Sequence, residues 1–351
     1  MRLSFTTIVL ALSGTCLCTD YLVGVPTVPF KTASKNVFSL QDVKTIVVDP
    51  KYTDATDTNG ETLIPPTLRQ FAQTFADDLR PYLSHQEVDV ATHCADSGQI
   101  HLTLGDPKDF LDAAGRPTSE GYTLSVTQSG ITITGASPLG VWWGTRTVLQ
   151  QATLNEGKLP LGSGTDAPGW GTRGVMLDAG RHYYPPGFLK EMCSYLSFFK
   201  QNTFHVHISD NLINSASYTR EESLELYAAF RPNSPDPAVA GLNKRPNESY
   251  YQSDFEDVQR SCASRGVTII PELEMPGHAL VISQWKPELG MSTDISLLNI
   301  SNPDTIPTAQ TIWKTFLPWF HSKTVHIGAD EYFDSSLTRR SVPFPRSLCS
   351  P

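Results

Sequence analysis

The chain has 351 residues, more than one typical domain, which points to two. Hydrophobic residues make up 39% and charged residues 18%, the balance of a soluble globular protein with enough apolar material for a core. A formal net charge of −9 disfavours nucleic acid or an anionic membrane as partner and is compatible with a neutral ligand such as a sugar.

At the N-terminus Arg2 precedes an apolar run from Phe5 to Leu12, followed by small residues and Asp20. That layout predicts a secretory signal peptide over residues 1–18, the alternative being a frayed apolar strand. No later stretch approaches the ~18 apolar residues of a membrane span. The sequons at Asn247 (N-E-S) and Asn299 (N-I-S) fit a secreted, extracellular or vacuolar-lysosomal glycoprotein. Of six cysteines, Cys16 and Cys18 belong to the signal region. Cys94, Cys193, Cys262 and Cys349 lie far apart without C-x-x-C spacing. They do not read as a zinc site, and they leave one or two disulfides of open connectivity.

Residues 19–165 form the first predicted domain, a small α/β unit whose regular structure starts near 41. Residues 45–48 read as a β-branched strand. Leu68, Phe71, Phe75 and Leu79 recur at helical spacing, behind Pro65 and Pro66 and ahead of Pro81. Residues 100–104 and 122–126 alternate as half-buried strands, and a turn at 128–130 leads into a strand at 131–134. Residues 139–151 read as a helix containing Trp142, Trp143 and Leu149. The Gly-, Pro- and Ser-rich run 161–171 is the expected linker.

From 172 to 335 strands and helices alternate. Strands are expected at 174–178, 203–208, 267–271 and 324–327. Helical stripes lie at Phe188 to Phe199, Phe255 to Cys262 and Ile312 to Trp319, with a long loop after 208. Such β–α units imply parallel strands, because each return crossover needs a helix. Asp178, Arg181, Asp210, the stretch 272–278, Asp330 and Glu331 follow the strand ends, where barrels and doubly wound sheets keep their sites. No G-x-G-x-x-G or Walker sequence follows a strand, which argues against nucleotide binding. Asp330 and Glu331 leave the apolar V-H-I-G-A run, so a buried strand is expected to carry them. Strand neighbours point to opposite sides, and partial burial is expected to keep one carboxyl protonated as a general acid.

Four blocks occur in order: R-G-V-M-L-D-A-G-R-H-Y-Y-P (173–185), F-H-V-H-I-S-D-N (204–211), P-E-L-E-M-P-G-H-A (271–279) and H-I-G-A-D-E-Y (326–332). Together they resemble the consecutive barrel strands of glycoside hydrolase family 20, the β-N-acetylhexosaminidases. E-G-Y-T-L-S-V (120–126), G-I-T-I-T-G (130–135) and G-V-W-W-G-T-R-T-V-L-Q-Q (140–151) resemble the α/β domain that precedes the barrel there. The resemblance spans about residues 40 to 335. It implies an α/β fold, a small α/β N-terminal domain followed by a (β/α)8 TIM-type barrel. It also implies a retaining exo-glycosidase acting on terminal β-linked N-acetylglucosamine or N-acetylgalactosamine of chitin fragments or glycans.

In that family the substrate's own 2-acetamido oxygen attacks C1. By resemblance Asp330 orients the acetamido group and Glu331 is the acid and then the base. Arg181 grips sugar hydroxyls, and Asp210 and His278 surround the acid/base, His278 tuning it. No cofactor is implied. His205 and His207 face one side of a strand, a geometry metals use, but no third ligand presents itself, and they are read as hydrogen-bonded barrel residues. Ala329 stands where the family usually has glycine, tolerable if its φ stays negative, and Asn211 stands where a second aspartate is common.

Only about four barrel strands can be assigned, with an irregular tail at 336–351, so a truncated product is expected. The family's later strands, with their sugar-stacking tryptophans and acetamido-positioning tyrosine, are not assignable. Competing readings are a lacto-N-biosidase-like hydrolase, an inactive sugar-binding relative, and a metallohydrolase on His205 and His207. A homodimer is compatible with the sequence, and an acidic optimum is expected because Glu331 must start protonated.

Overall fold

The first strand, β1 (Lys31–Ser39), opens a domain assembled around one seven-stranded mixed sheet. The computed structural model describes residues 24, 28–83, 87–93, 98–212 and 218–332. The signal segment, Cys94, Cys349 and the tail 336–351 lie outside the described residues.

After β1 come β2 (Thr45–Val48), α1 (Leu68–Leu79), β3 (Asp89–Ala91), β4 (Gln99–Leu104), β5 (Tyr122–Val126), β6 (Gly130–Gly135), α2 (Pro138–Leu154) and β7 (Lys158–Asp166). The sheet order is β1-β7-β5-β6-β4-β2-β3. A reciprocal cap between Thr67 and Gln70 starts α1, and its stripe of Leu68, Phe71, Phe75 and Leu79 is buried. Ser137 caps α2, whose Pro138 needs no intrahelical donor.

The expected linker is a correction: residues 158–166 are an inner strand between β1 and β5. Its glycines read as a loop in the sequence, but they serve close backbone approach. A Cβ at Gly164 would sit 1.7 Å from the Pro29 carbonyl oxygen.

The second unit contains β8 (Gly174–Asp178), α3 (Pro186–Phe198), β9 (Thr203–His207), β10 (Ser209–Asn211), α4 (Arg220–Leu224), β11 (Ala228–Phe230), α5 (Gln252–Ala263), β12 (Thr268–Glu272), α6 (Leu280–Trp285) and α7 (Thr305–Phe316). The expected long loop after β9 is thus partly regular, with β10 and β11 paired antiparallel. Strands β8, β9 and β12 form a parallel sheet in the order β12-β9-β8. Its register runs from Gly174, Thr203 and Thr268 to Asp178, His207 and Glu272. Phe204, Val206 and Ile269 face the helices in one apolar core. A disulfide between Cys193 and Cys262 joins α3 to α5.

The expected strand at 324–327 is reduced to a single parallel bridge, His326 to Glu272. Backbone bonds from His326 to Pro271 and Leu273, and from Ile327 to Met275, still lay it along β12. No helix among the described residues is long and apolar enough to cross a membrane.

Helix α2 docks the two units together. The Trp142 indole N–H donates to the Arg265 carbonyl oxygen at 2.7 Å and lies 3.0 Å from Ser197 Oγ. Asp78 accepts from Arg146 at 2.6 Å and from Arg265 at 3.1 Å. Glu120 accepts from Trp143 at 2.8 Å, from Arg173 at 2.6 Å and from Asn202 at 3.2 Å. Arg173, Asn202 and Arg265 stand just ahead of β8, β9 and β12.

Candidate active site

The strand register brings Asp178, His207 and Glu272 into one row at the C-terminal ends of β8, β9 and β12. Residues two apart on a strand share a face, so His205 lies beside His207. Sequence pattern placed the stretch 272–278 at a strand end without giving Glu272 or Glu274 a role of its own. The signal was their i, i+2 spacing, which aims two like charges at one interior face.

Arg181 is fixed from several directions. Its backbone N–H donates to Asp178 Oδ1 at 2.9 Å, and Nη1 donates to Asp178 Oδ2 at 2.8 Å. Nε donates to the Asn211 carbonyl at 3.2 Å, and Nη2 lies 2.9 Å from Asp210 Oδ2. Its side chain is still 37% exposed, which leaves an edge for a ligand. Asp178 therefore braces the arginine.

Asp210 is the hub. Its Oδ2 accepts from His207 Nε2 at 2.6 Å, and its Oδ1 lies 3.2 Å from His278 Nδ1. The opposite nitrogen of His278 is 3.2 Å from Glu331 Oε2. Both ring nitrogens of His278 thus face carboxylates, which the imidazolium form satisfies by donating twice. The hydrogen bond to Asp210 raises the His278 pKa against the opposing effect of burial. His207 repeats the arrangement one step deeper, with Nδ1 2.7 Å from Glu272 Oε2. Burial by itself would lower its pKa, but the bonds to Asp210 and Glu272 outweigh it and push it up to about 10. Burial would likewise raise Asp210, yet bonds from His207 and His278 hold it at about 2. The result is an alternating line Glu272–His207–Asp210–His278–Glu331, running from the interior to the surface.

Glu272 gathers three histidines: His205 Nε2 at 2.7 Å, His207 Nδ1 at 2.7 Å and His326 Nδ1 at 2.8 Å. Despite desolvation, the bonds from His205 and His207 hold it well below the usual carboxylate range. Glu272 and His326 supply the partner that sequence reasoning did not find for His205. These three residues offer ligand atoms within 4.8 Å of one another. His205 Nε2 already bonds Glu272 Oε2, and His326 Nδ1 already accepts the Gly328 N–H.

The segment carrying Asp330 and Glu331 differs from expectation in three respects. It is not a strand: Gly328 and Ala329 have φ of 67° and Glu331 has φ of 46°. It is not buried, for Asp330 and Glu331 are exposed, with 66% of the Glu331 side chain accessible. The polar contact of Glu331 is with His278, at 3.2 Å. The condition set for Ala329, a negative φ, is also not met, so this alanine occupies the left-handed region that favours glycine.

Comparisons with known proteins give the family and the fold. Residues 170–342 match the model described as glycosyl hydrolase family 20, catalytic domain, and residues 25–167 match domain 2 of the same family. The chain is 29% identical to a β-hexosaminidase of Vibrio furnissii over 256 residues, covering 67% of this chain and 42% of that protein. It is 27% identical to a lacto-N-biosidase of Bifidobacterium bifidum over 269 residues, covering 74% of this chain and 21% of that one. The GH20 β-N-acetylhexosaminidase structure from Streptomyces coelicolor A3(2) superposes with a TM-score of 0.66 at 22% identity, covering 87% of this chain and 59% of that chain. The chain therefore spans well under two thirds of the length of these relatives. The likeness in fold makes β8, β9 and β12 part of an α/β TIM-type barrel.

Proposed function

We propose, from the premise that this chain belongs to glycosyl hydrolase family 20, that it releases terminal β-linked N-acetylglucosamine or N-acetylgalactosamine with retention of configuration. The observation that carries this reading is the line Asp210–His278–Glu331 with Arg181 beside it. Glu331 is the acid that protonates the glycosidic oxygen as the C1–O bond breaks. The acetamido oxygen of the same sugar forms the new bond to C1, and Asp330 takes up the acetamido N–H. A water then attacks C1 as the bond from C1 to the acetamido oxygen breaks, and the water's proton passes to the Glu331 carboxylate. His278, donating toward Asp210, holds the acid in place and biases its proton. Arg181, held by Asp178 and Asp210, presents its outer edge to the sugar hydroxyls. The described strands supply the first part of such a barrel, three paired strands and one bridged segment. The remaining walls of a sugar pocket are not among the described residues.

Secretion is part of the same proposal. It is supported by the signal-like N-terminus, the Cys193–Cys262 bridge and the exposed sequon asparagine Asn247.

A chromogenic β-N-acetylglucosaminide tests the activity, with the matching β-glucoside, Glu331→Gln and a chelator as controls. Turnover of the acetamido substrate alone, lost in Glu331→Gln and unchanged by chelation, is the expected result. Hydrolysis of both sugars, or loss on chelation, would overturn it; the latter outcome would favour metal chemistry at His205, Glu272 and His326. A lacto-N-biosidase reading rests on the relative that covers 74% of this chain, and a chromogenic disaccharide substrate separates the two.

A further inference from the structure

We propose that Glu274 is a positioning residue whose carboxyl group clamps the Gly328–Ala329 backbone and so aims Asp330 and Glu331. Its bearing on turnover rests on the glycosidase reading above; the clamp itself does not.

Glu274 follows β12 and is only 2% exposed. Its backbone N–H donates to Ser209 Oγ at 2.8 Å, which pins it to β10. Its Oε1 accepts the Ala329 N–H at 2.8 Å. On the same carboxyl group, Oε2 lies where a Gly328 side chain would begin, since a Cβ there would sit 1.9 Å away. The carboxyl thus lies flat against two consecutive residues of the segment. Those residues need holding. Ala329 and Glu331 sit at φ of 67° and 46°, conformations that persist in L-residues only when surroundings enforce them. Upstream, backbone bonds join His326 and Ile327 to Pro271, Leu273 and Met275, and His326 Nδ1 accepts the Gly328 N–H at 3.0 Å. Among the described residues no backbone partner reaches the Ala329 N–H, which Glu274 holds. Gly277 adds a second close approach, where a Cβ would meet the Asp330 carbonyl at 2.6 Å.

The clamp sits among other ionisable groups. Glu272 faces Glu274 from its own strand, Asp330 faces it from the segment, and His207 faces it from β9. His205 and His326 contact Glu272, and His326 Nδ1 also accepts the Gly328 N–H at 3.0 Å. Burial raises the Glu274 pKa, the charges of Asp330 and Glu272 add to this, and together they outweigh the Ala329 bond to bring it to about 8. A carboxyl raised in the folded state stabilises it while protonated. That contribution is complete below the ordinary value of 4.5 and is lost as pH rises through about 8. Above that range a negative Glu274 repels the two neighbouring carboxylates, and Asp330 is the one free to move.

The test is hydrogen exchange of a peptide spanning 326–332, corrected for intrinsic rates, in the full chain and in Glu274→Gln and Glu274→Leu. Gln keeps an acceptor for Ala329 and cannot ionise. Leu loses the acceptor, and exchange should rise about tenfold at all pH. The native chain should lose protection as pH passes about 8, whereas Glu274→Gln should not. Equal protection in the native chain and Glu274→Leu overturns the clamp. If Glu274→Leu fails to fold, the Gln comparison decides, and identical pH profiles for native and Gln proteins overturn it. Turnover is followed in parallel. Exchange as expected with no hydrolysis by any variant leaves the clamp standing and removes the glycosidase reading.

Discussion

His278 stands between two carboxylates, with Nε2 3.2 Å from Glu331 Oε2 and Nδ1 3.2 Å from Asp210 Oδ1. A ring placed this way both orients the acid and puts a positive charge beside it. Replacing it by glutamine keeps a donor and removes the charge. His278→Gln should lower kcat by about 10- to 100-fold and move the alkaline limb of kcat/KM to higher pH. An unchanged limb would mean that the ring does not share its proton with the acid.

Arg181 tests the binding half of the site. Its fork is engaged by Asp178, Asp210 and the Asn211 carbonyl, and lysine cannot reproduce that set. Arg181→Lys should raise KM by about tenfold, with a smaller change in kcat. A loss confined to kcat would place the arginine at the reacting bond instead.

The Asp210–His207 pair predicts how stability depends on pH. The folded Asp210 pKa is lowered to about 2 from 3.8, so its contribution is present above 3.8 and lost as pH falls through about 2. His207 is raised from 6.5 to about 10, so its contribution is present below 6.5 and lost as pH rises through about 10. Both partners are buried, and the pair is worth on the order of 2 kcal/mol. Thermal unfolding should therefore peak between about pH 4 and 6.5 and flatten in Asp210→Asn. A mutant whose melting curve keeps the native pH dependence would contradict the assignment.

Two substitutions on adjacent residues should have opposite effects. Ala329→Gly removes a Cβ from a position with φ of 67° and should stabilise the fold by roughly 0.5–1 kcal/mol. Gly328→Ala places a Cβ 1.9 Å from Glu274 Oε2 and should lower both the melting temperature and turnover. Denaturant midpoints for the two variants give the comparison.

Periodicity located helices in both units, because α1 and α5 each bury one regular face. It failed at β7, whose glycines signal contact with β1 rather than a turn. It also overextended 324–327, where an apolar composition says nothing about whether a neighbour completes the ladder. Arg181, Asp210, His278, Asp330 and Glu331 were legible through motif order, and the structure brings them to one end of the sheet. Glu272 and Glu274 were not, since their importance lies in contacts made by histidines and backbone from other segments. The left-handed conformation at Ala329 was beyond pattern reading, because alanine gives no hint of positive φ.

The bonds from α2 and its domain to Arg173, Asn202 and Arg265 reach further than the boundary they cross. They set the starting heights of three parallel strands, and each of those strands is five residues long. A strand is stiff and rises about 3.3 Å per residue, so an offset at its first residue reappears undiminished at its last. The N-terminal domain therefore works as a gauge block. It stands at the N-terminal ends of these strands, yet the level at which Asp178, His207 and Glu272 meet is measured from it.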